Sequence, residues 1–230
     1  MDALVGVTVA DRAIIIDDTL VISDLHIGKA ASSGVQLPVG GGDNMVKRLE
    51  TLCHVHSPET VVIAGDLLHS FDTIPRLAEE TLTRIERTAG EVGANLVVTP
   101  GNHDTLLETL WSGDLSPEFP VGETVITHGH VEPETTAERY VIGHDHPTIA
   151  VEGTRYPCIL AGDGMYNDAD LLVLPSFNDL VRGVEVTELS TEEFLSPMLT
   201  SVRELRPIVY DTGSGESLQF PTLGELRRQP

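Results

Sequence analysis

Cysteine is nearly absent from this 230-residue chain. Cys53 and Cys158 are its only two, too few for a disulfide framework or a cysteine-rich zinc site. Lysine is equally scarce: Lys29 and Lys47 stand alone, and the other basic residues are arginines. Set against 36 acidic side chains, they leave a formal net charge of −22. So little Lys and Arg disfavours tight, nonspecific binding of nucleic acid through its phosphates. There is no run of about 18 apolar residues, which excludes a helical membrane span. Met1-Asp2-Ala3-Leu4 lacks the basic segment and apolar stretch of a secretory signal, so a cytoplasmic location is expected. What is present is a core. Hydrophobic residues make up 40% of the chain, too many for a disordered acidic tail. The length suits a single domain, 1–230, with residues from about 190 to 230 as a C-terminal extension packed on it. Abundant carboxylates with few lysines are the balance of a halophilic protein, kept soluble in molar salt by its acidic surface.

Hydrophobic periodicity predicts alternating strands and helices in the first half. Ala13 to Ile16, Leu20 to Ser23, Val61 to Ala64, Leu96 to Thr99 and Val125 to Thr127 read as buried strands. Asn44 to Val55 has the helical spacing Met45, Leu49, Leu52, Cys53. A second helix is predicted after Pro75, with Leu77, Leu82 and Ile85 on one face and Thr73 as its cap, and a short one from about Thr105 to Trp111. Beyond Tyr140 the pattern changes to short strands: Val141-Ile142, Ile149 to Val151, Tyr156 to Leu160, Leu171 to Leu174 and Val184 to Val186. Asp163 to Asp170 reads as a turn-rich loop. The last 40 residues predict a helix, a strand at Ile208 to Tyr210 and a final short helix near Leu223 to Arg227. The whole reads as one α/β domain whose later half is mostly β.

The polar residues of interest follow those strands, where α/β sheets place their sites. In order they are Asp24-Leu25-His26, Gly65-Asp66, Gly101-Asn102-His103-Asp104, His128-Gly129-His130 and Gly143-His144-Asp145-His146. Any one block alone is weak, since a Gly-Asp is usually a turn and a strand-end histidine usually a hydrogen-bonded structural residue. Five in succession, each closing an apolar strand, point to metal binding. Carboxylate, imidazole and amide oxygen without thiolate suit borderline divalent ions. Seven candidate ligands exceed what one ion with an open position needs, whereas two ions sharing a carboxylate use them all. Such a pair suits in-line displacement at phosphorus.

These ordered blocks resemble the motifs of the calcineurin-like metallophosphoesterase superfamily, from Asp24 through His146. The resemblance implies a metallophosphoesterase-type β-sandwich of two mixed sheets flanked by helices. It implies one ion on Asp24, His26 and His146, another on Asn102, His128 and His144, and Asp66 as the bridge. It makes His103 the histidine that contacts the phosphate and protonates the leaving oxygen, and Asp104 the residue that orients it. The implied cofactor is a pair of divalent ions, Mn²⁺ first, with Fe, Co, Zn and Ni as alternatives. A narrower likeness is to the ICC-like subgroup, including the PdeM-type phosphoesterases associated with bacterial DNA-repair ligase systems. It rests on Asp24-Leu25-His26-Ile27-Gly28-Lys29-Ala30, Gly65-Asp66-Leu67-Leu68-His69-Ser70 and Gly129-His130, then Pro157-Cys158, Leu174-Pro175-Ser176-Phe177 and Ser196-Pro197.

Three further residues are candidates for substrate binding, each with a plainer alternative. His69 either contacts substrate or packs locally at a helix start. His130 lies two residues past His128, so it shares that side chain's face if the strand continues and turns to solvent if it does not. Lys29 contacts phosphate or is a solvated loop lysine. Cys53, His54 and His56 fit core packing and a helix end better than a metal site. Gly40-Gly41-Gly42 lacks the Lys-Ser/Thr of a phosphate loop and reads as a turn.

The expected function is a dinuclear metal-dependent phosphoesterase in which activated hydroxide attacks phosphorus and His103 assists the leaving group. The subgroup likeness favours phosphodiesters, on nucleic acid or nucleotides, in DNA repair. A small-molecule phosphomonoesterase, a cyclic-nucleotide phosphodiesterase and a non-catalytic metal-binding scaffold are the alternatives.

Overall fold

A computed structural model describes residues 3–29, 42–69 and 76–228. The first half of the chain forms a six-stranded sheet of β1 (Val7–Ala10), β2 (Ala13–Ile16), β3 (Thr19–Ile22), β4 (Thr60–Ile63), β5 (Asn95–Val98) and β6 (Asp114–Leu115), lying in that order. The first three strands are an antiparallel meander, and β3 to β6 run parallel. Parallel neighbours need crossovers. α1 (Asp43–His56) lies between β3 and β4, α2 (Arg76–Glu91) between β4 and β5, and α3 (Leu107–Leu110) between β5 and β6. The caps and glycines expected at Thr73, Pro75, Gly40 and Gly41 lie outside the described residues, as do Ala30, Ser70 and the side chain of Leu77.

The chain then lays down β7 (Phe119–Val121), β8 (Thr124–Ile126), β9 (Arg139–Ile142), β10 (Pro147–Val151), β11 (Thr154–Pro157), β12 (Ile159–Tyr166), β13 (Ala169–Val173), β14 (Val184–Glu185), β15 (Arg206–Asp211) and β16 (Glu216–Gln219), ending in α4 (Leu223–Leu226). Seven of these strands form a second sheet in the order β16-β15-β12-β13-β9-β8-β7. The two expected mixed sheets are joined by a small third one, β11-β10-β14.

Alternation along the strands sorts the core into three layers. Val21, Val62 and Val97 of the first sheet pack with Ile126, Val141, Ile159 and Leu172 of the second. Their neighbours Leu20, Ile22, Val61 and Ile63 pack instead with Met45, Leu49 and Leu52 of α1 and Leu82 and Ile85 of α2. Leu160, Leu171 and Val173 turn the other way, onto Phe194, Met198, Val202, Leu205 and Leu223. Central strands apolar on both faces are therefore covered on both, and residues 194–223 supply one of the covers.

Some local expectations change. Residues 156–160 divide at Cys158 between β11 and β12 rather than forming one strand. Asp163 to Asp170 is not a loop: β12 and β13 continue into a hairpin that turns at Asn167-Asp168, both with positive φ (49° and 66°), as a tight right-twisted hairpin requires. The helix predicted early in the last 40 residues is a single 3₁₀ turn, Thr191–Glu193. β1 and β16 carry too weak an apolar pattern to be predicted.

Candidate metal centre

β3, β4 and β5 are parallel, and so are β8 and β9, so their C-terminal ends gather the five polar blocks at one edge of the sandwich. Asp24 and His26 follow β3, Asp66 follows β4, Asn102 and His103 follow β5, His128 follows β8, and His144 and His146 follow β9. All seven candidate ligands come together. Potential donor atoms of Asp24, His26, Asp66 and His146 lie within 4.8 Å of one another, as do those of Asp66, His128 and His144. Asp66 is common to both groups: its Oδ2 is 3.7 Å from His26 Nε2, and its Oδ1 is 3.5 Å from His128 Nε2. Asn102 joins the second group, with Oδ1 3.2 Å from His128 Nε2.

The chemistry of this set tests whether cations fit. His128 Nδ1 lies 3.1 Å from the Ala64 carbonyl, which can only accept, so Nδ1 carries the ring proton. Nε2 is then a bare lone pair, yet it faces Asn102 Oδ1 and Asp66 Oδ1, both acceptors, and sits 3.2 Å from His144 Nδ1. His26 Nε2 and His146 Nε2 approach to 3.2 Å in the same way. Lone pairs converging in a buried place repel unless a cation or protons lie between them. Burial pushes the histidine pKa values down, to about 3 for His26 and about 4 for His128 and His144, where His128 adds to the depression. Those rings are neutral near pH 7, the form that binds metal. Burial, then the neighbouring Asp24, raise Asp66 to about 8. Burial alone would raise Asp24 as well, but His146, His128 and His26 hold it near 2. His146 pairs with it at 3.1 Å, and that charge keeps the His146 pKa above the usual imidazole range despite burial. The donor set therefore fits two divalent cations, one on each side of Asp66.

Unusual backbone positions these atoms. Asp24 (φ 55°), His26 (41°), Asp66 (49°), His144 (71°) and His146 (47°) all adopt left-handed conformations, costly for side chains with a Cβ and typical of functional loops. Cross-loop bonds hold them. Asp24 N–H donates to the Gly65 carbonyl at 3.0 Å and His26 N–H to that of Asp66 at 2.8 Å. Glycine is needed where the loops touch ligands: a Cβ on Gly65 would sit 2.2 Å from His128 Nδ1, and one on Gly143 2.4 Å from Asp24 Oδ2.

His103 lies at the open rim. Its N–H donates to Asp66 Oδ1 at 2.9 Å, its Nδ1 lies 3.3 Å from the His69 carbonyl, and its Nε2 is 4.0 Å from Asp66 Oδ2. Asp104, implied as the residue that orients this ring, is bonded to the backbone of two ligand loops. The Asp104 carboxylate accepts N–H bonds from Gly101, Leu67 and Leu68 (2.9, 3.2 and 2.9 Å), so it locks the Asp66 loop to the Asn102 loop. The His103 ring takes its direction from the His69 carbonyl. His69 itself is at the centre's edge, its ring stacked 5.9 Å from that of His103 and its Nδ1 buried without a partner. His130 does face inward, 5.2 Å from His128, with Nδ1 likewise buried and unpartnered. Lys29 ends the described part of the His26 loop, and its charge helps burial hold His69 below the ordinary imidazole pKa. Cys53 is buried on α1 and His54 exposed, as core and helix-end residues would be.

Four supporting residues had no assigned role. Buried Asp145 accepts the N–H groups of Leu195 (2.7 Å) and Ser196 (3.1 Å), and Ser196 Oγ donates to the Gly129 carbonyl at 2.6 Å. Ser176 Oγ donates to the Asp24 carbonyl at 2.6 Å, and Asn178 Nδ2 to the Leu25 carbonyl at 2.7 Å. The Ser176 and Ser196 segments carried a motif likeness without a reason; the reason is that they brace the ligand loops from behind.

Comparison with known proteins agrees with this geometry. No curated protein matches the chain by sequence. Among solved structures, the crystal structure of the Pseudomonas putida nuclease MPE matches with TM-score 0.62 and 24% identity, over 92% of this chain and 93% of that one. A second, Yfce, a phosphoesterase from E. coli, matches with TM-score 0.46 and 15% identity over 89% and 98%. Residues 18–213 match the family described as calcineurin-like phosphoesterase. A match of that extent runs from β3 to β15 and takes in every candidate ligand, and the chain belongs to the calcineurin-like phosphoesterase family of metal-dependent hydrolases.

Proposed function

We propose that this chain is a phosphodiesterase acting on nucleotide or nucleic-acid phosphodiesters, using two divalent ions, with Mn²⁺ as the preferred metal. The observation that carries the reading is the paired donor set around Asp66, with His103 at its open rim. In this reading Asp24, His26 and His146 hold one ion, Asn102, His128 and His144 the other, and Asp66 both. Bound there, such ions supply positive charge to the phosphoryl oxygens and an activated nucleophile at neutral pH.

The chain's own residues do the rest. The Ala64 carbonyl fixes the His128 tautomer, keeping Nε2 toward the centre. The His69 carbonyl does the same for His103 by accepting from Nδ1. His103 Nε2 then faces the substrate side, and in the imidazolium form it gives its proton to the departing oxygen. His69 and His130 flank this position and contact substrate, and Lys29 takes part as a positive charge beside His69. The ICC-like subgroup motifs support the diester preference and a role in DNA repair. The Pseudomonas putida structure that shares the fold is a nuclease, a precedent consistent with that reading. The carboxylate-rich composition supports work at high salt in the cytoplasm, by a single domain in which residues 190–230 complete the core.

The test is a hydrolysis panel with added Mn²⁺ in high salt. It compares bis(p-nitrophenyl) phosphate, a phosphomonoester, 2′,3′- and 3′,5′-cyclic nucleotides and single-stranded DNA. Diester turnover is expected to dominate. Monoester cleavage alone would sink the diesterase reading, and silence on every substrate with both ions bound would favour a scaffold.

A further inference from the structure

Basic residues are rare in this chain, yet three of its arginines share one cavity. Arg12, Arg155 and Arg182 line a space of about 160 Å³ together with His146. Arg12 is anchored there, donating to the Ser176 carbonyl at 2.9 Å and pairing with Asp179 at 2.9 Å. Arg155 and Arg182 are exposed and, among the described residues, have no carboxylate partner. In a protein of net charge −22, two arginines left unpaired beside a third make an anion site. Asp179 is the one carboxylate in the cavity lining.

The cavity does not end there. Arg12, Pro157 and Pro175 also line a second space of about 250 Å³, which includes Tyr156. Tyr156 is 41% exposed, unlike the buried Tyr140 and Tyr166. His146 begins the path, and it is also the residue whose Nε2 lies 3.1 Å from Asp24 Oδ1. Together the two linings present His146, the guanidinium groups of Arg12, Arg48, Arg155 and Arg182, and the Tyr156 ring. Asp11 and Asp179 are their carboxylates, both already paired to Arg48. Guanidinium forks suit phosphate oxygens, and an exposed ring suits any nucleobase.

We propose that this groove carries a single-stranded polynucleotide away from the metal centre, with Arg12, Arg155 and Arg182 on a phosphate next to the scissile one and Tyr156 stacked on a base. The proposal rests on the phosphodiesterase reading and adds to it a substrate longer than one diester. It also reconciles an acidic protein with an anionic substrate. At molar salt the Debye length is only about 3 Å, so the remote carboxylates are screened and contacts in the groove decide binding.

The experiment separates binding from turnover. Fluorescence anisotropy of a labelled single-stranded 8-mer in EDTA is measured for the wild type, Arg155→Glu/Arg182→Glu and Tyr156→Ala, in the salt that supports turnover. The double variant is expected to weaken binding about 10- to 100-fold, and Tyr156→Ala about 5- to 100-fold. Hydrolysis of bis(p-nitrophenyl) phosphate, too small to reach the groove, should be unchanged in both variants, which also reports an intact fold. Unchanged affinity in both variants overturns the groove. So does displacement of the 8-mer by polyglutamate as effectively as by unlabelled DNA, the mark of a general anion site. A wild type that binds the 8-mer through these residues yet hydrolyses no diester retires the phosphodiesterase reading, and the binding result stands.

Discussion

The two halves of the metal centre are held in place differently. Asp24, His26, Asp66 and Asn102 sit on loops of the first sheet that bond directly to one another, backbone to backbone, with Asp104 fastening Gly101 to Leu67 and Leu68. His128, His144 and His146 sit on loops of the second sheet. Those loops share the bond from Gly143 N–H to the His128 carbonyl (3.1 Å), but they also lean on Leu195 and Ser196, some 50 residues further along the chain. The first half has direct ties between its own loops in addition to the Ser176 and Asn178 brace, whereas the second has fewer such ties and relies more on its brace. Ligand geometry in the second half should therefore be the easier to loosen without unfolding the protein.

Replacing the shared residue breaks both halves at once. Asp66→Asn should abolish turnover and reduce the metal content measured by plasma emission, because the amide cannot serve two cations as a carboxylate does. Retained activity would remove Asp66 from the centre. Next comes His103→Ala, which leaves both sets of donors in place. It should keep its metal and lose about 10²- to 10⁴-fold in kcat; full turnover with both ions bound would exclude His103 from proton transfer.

The comparison itself is tested by one substitution in each half. Asp104→Ala strands three backbone N–H groups within the first half. It should lower stability by about 3 kcal/mol or more, read as a fall in Tm. Ser196→Ala removes the brace on Gly129 in the second half and should weaken metal affinity about 10- to 100-fold by titration, with a smaller change in Tm. If the two variants shift Tm equally, the halves do not differ as described.

The gentlest perturbation is pH. Burial and Asp24 hold the Asp66 pKa near 8, above its unfolded value, so the metal-free fold favours the protonated carboxyl. This group's contribution to apo stability is present below the unfolded pKa and declines as pH rises toward 8. Metal must displace this proton and the one that Asp24 keeps on His146, so apparent affinity should rise with pH by up to about tenfold per pH unit for each proton and level off above about pH 8. His26, His128 and His144 are already neutral over that range and should add no competing proton. A flat profile would contradict a protonated Asp66.

The same contrast explains what could be read from the sequence. Asp24, Asp66 and His128 each close a short β-branched run, so strand, strand end and donor are adjacent in the chain and visible together. The sheets were legible because Val and Ile cluster there. The brace was not: Ser176 reaches Asp24 across 152 residues and Asp145 reaches Leu195 across 50, and no local pattern encodes such a pairing. Asp104 shows the converse failure. The family resemblance made it the partner of His103, but its carboxylate accepts from three backbone donors. The arginine groove joins β11, the β1–β2 turn and the approach to β14, segments that share no spacing.

The left-handed ligands carry a consequence for anyone who mutates this centre. Asparagine tolerates that backbone region better than most residues with a side chain, whereas Val, Ile and Thr are genuine outliers there. In a saturation library, positions 24, 26, 66, 144 and 146 should rank substitutions by backbone tolerance before they rank them by chemistry. Asparagine would head the list of survivors, and β-branched residues would drop out as unfolded protein. Only replacements from the tolerant group report on the reaction itself.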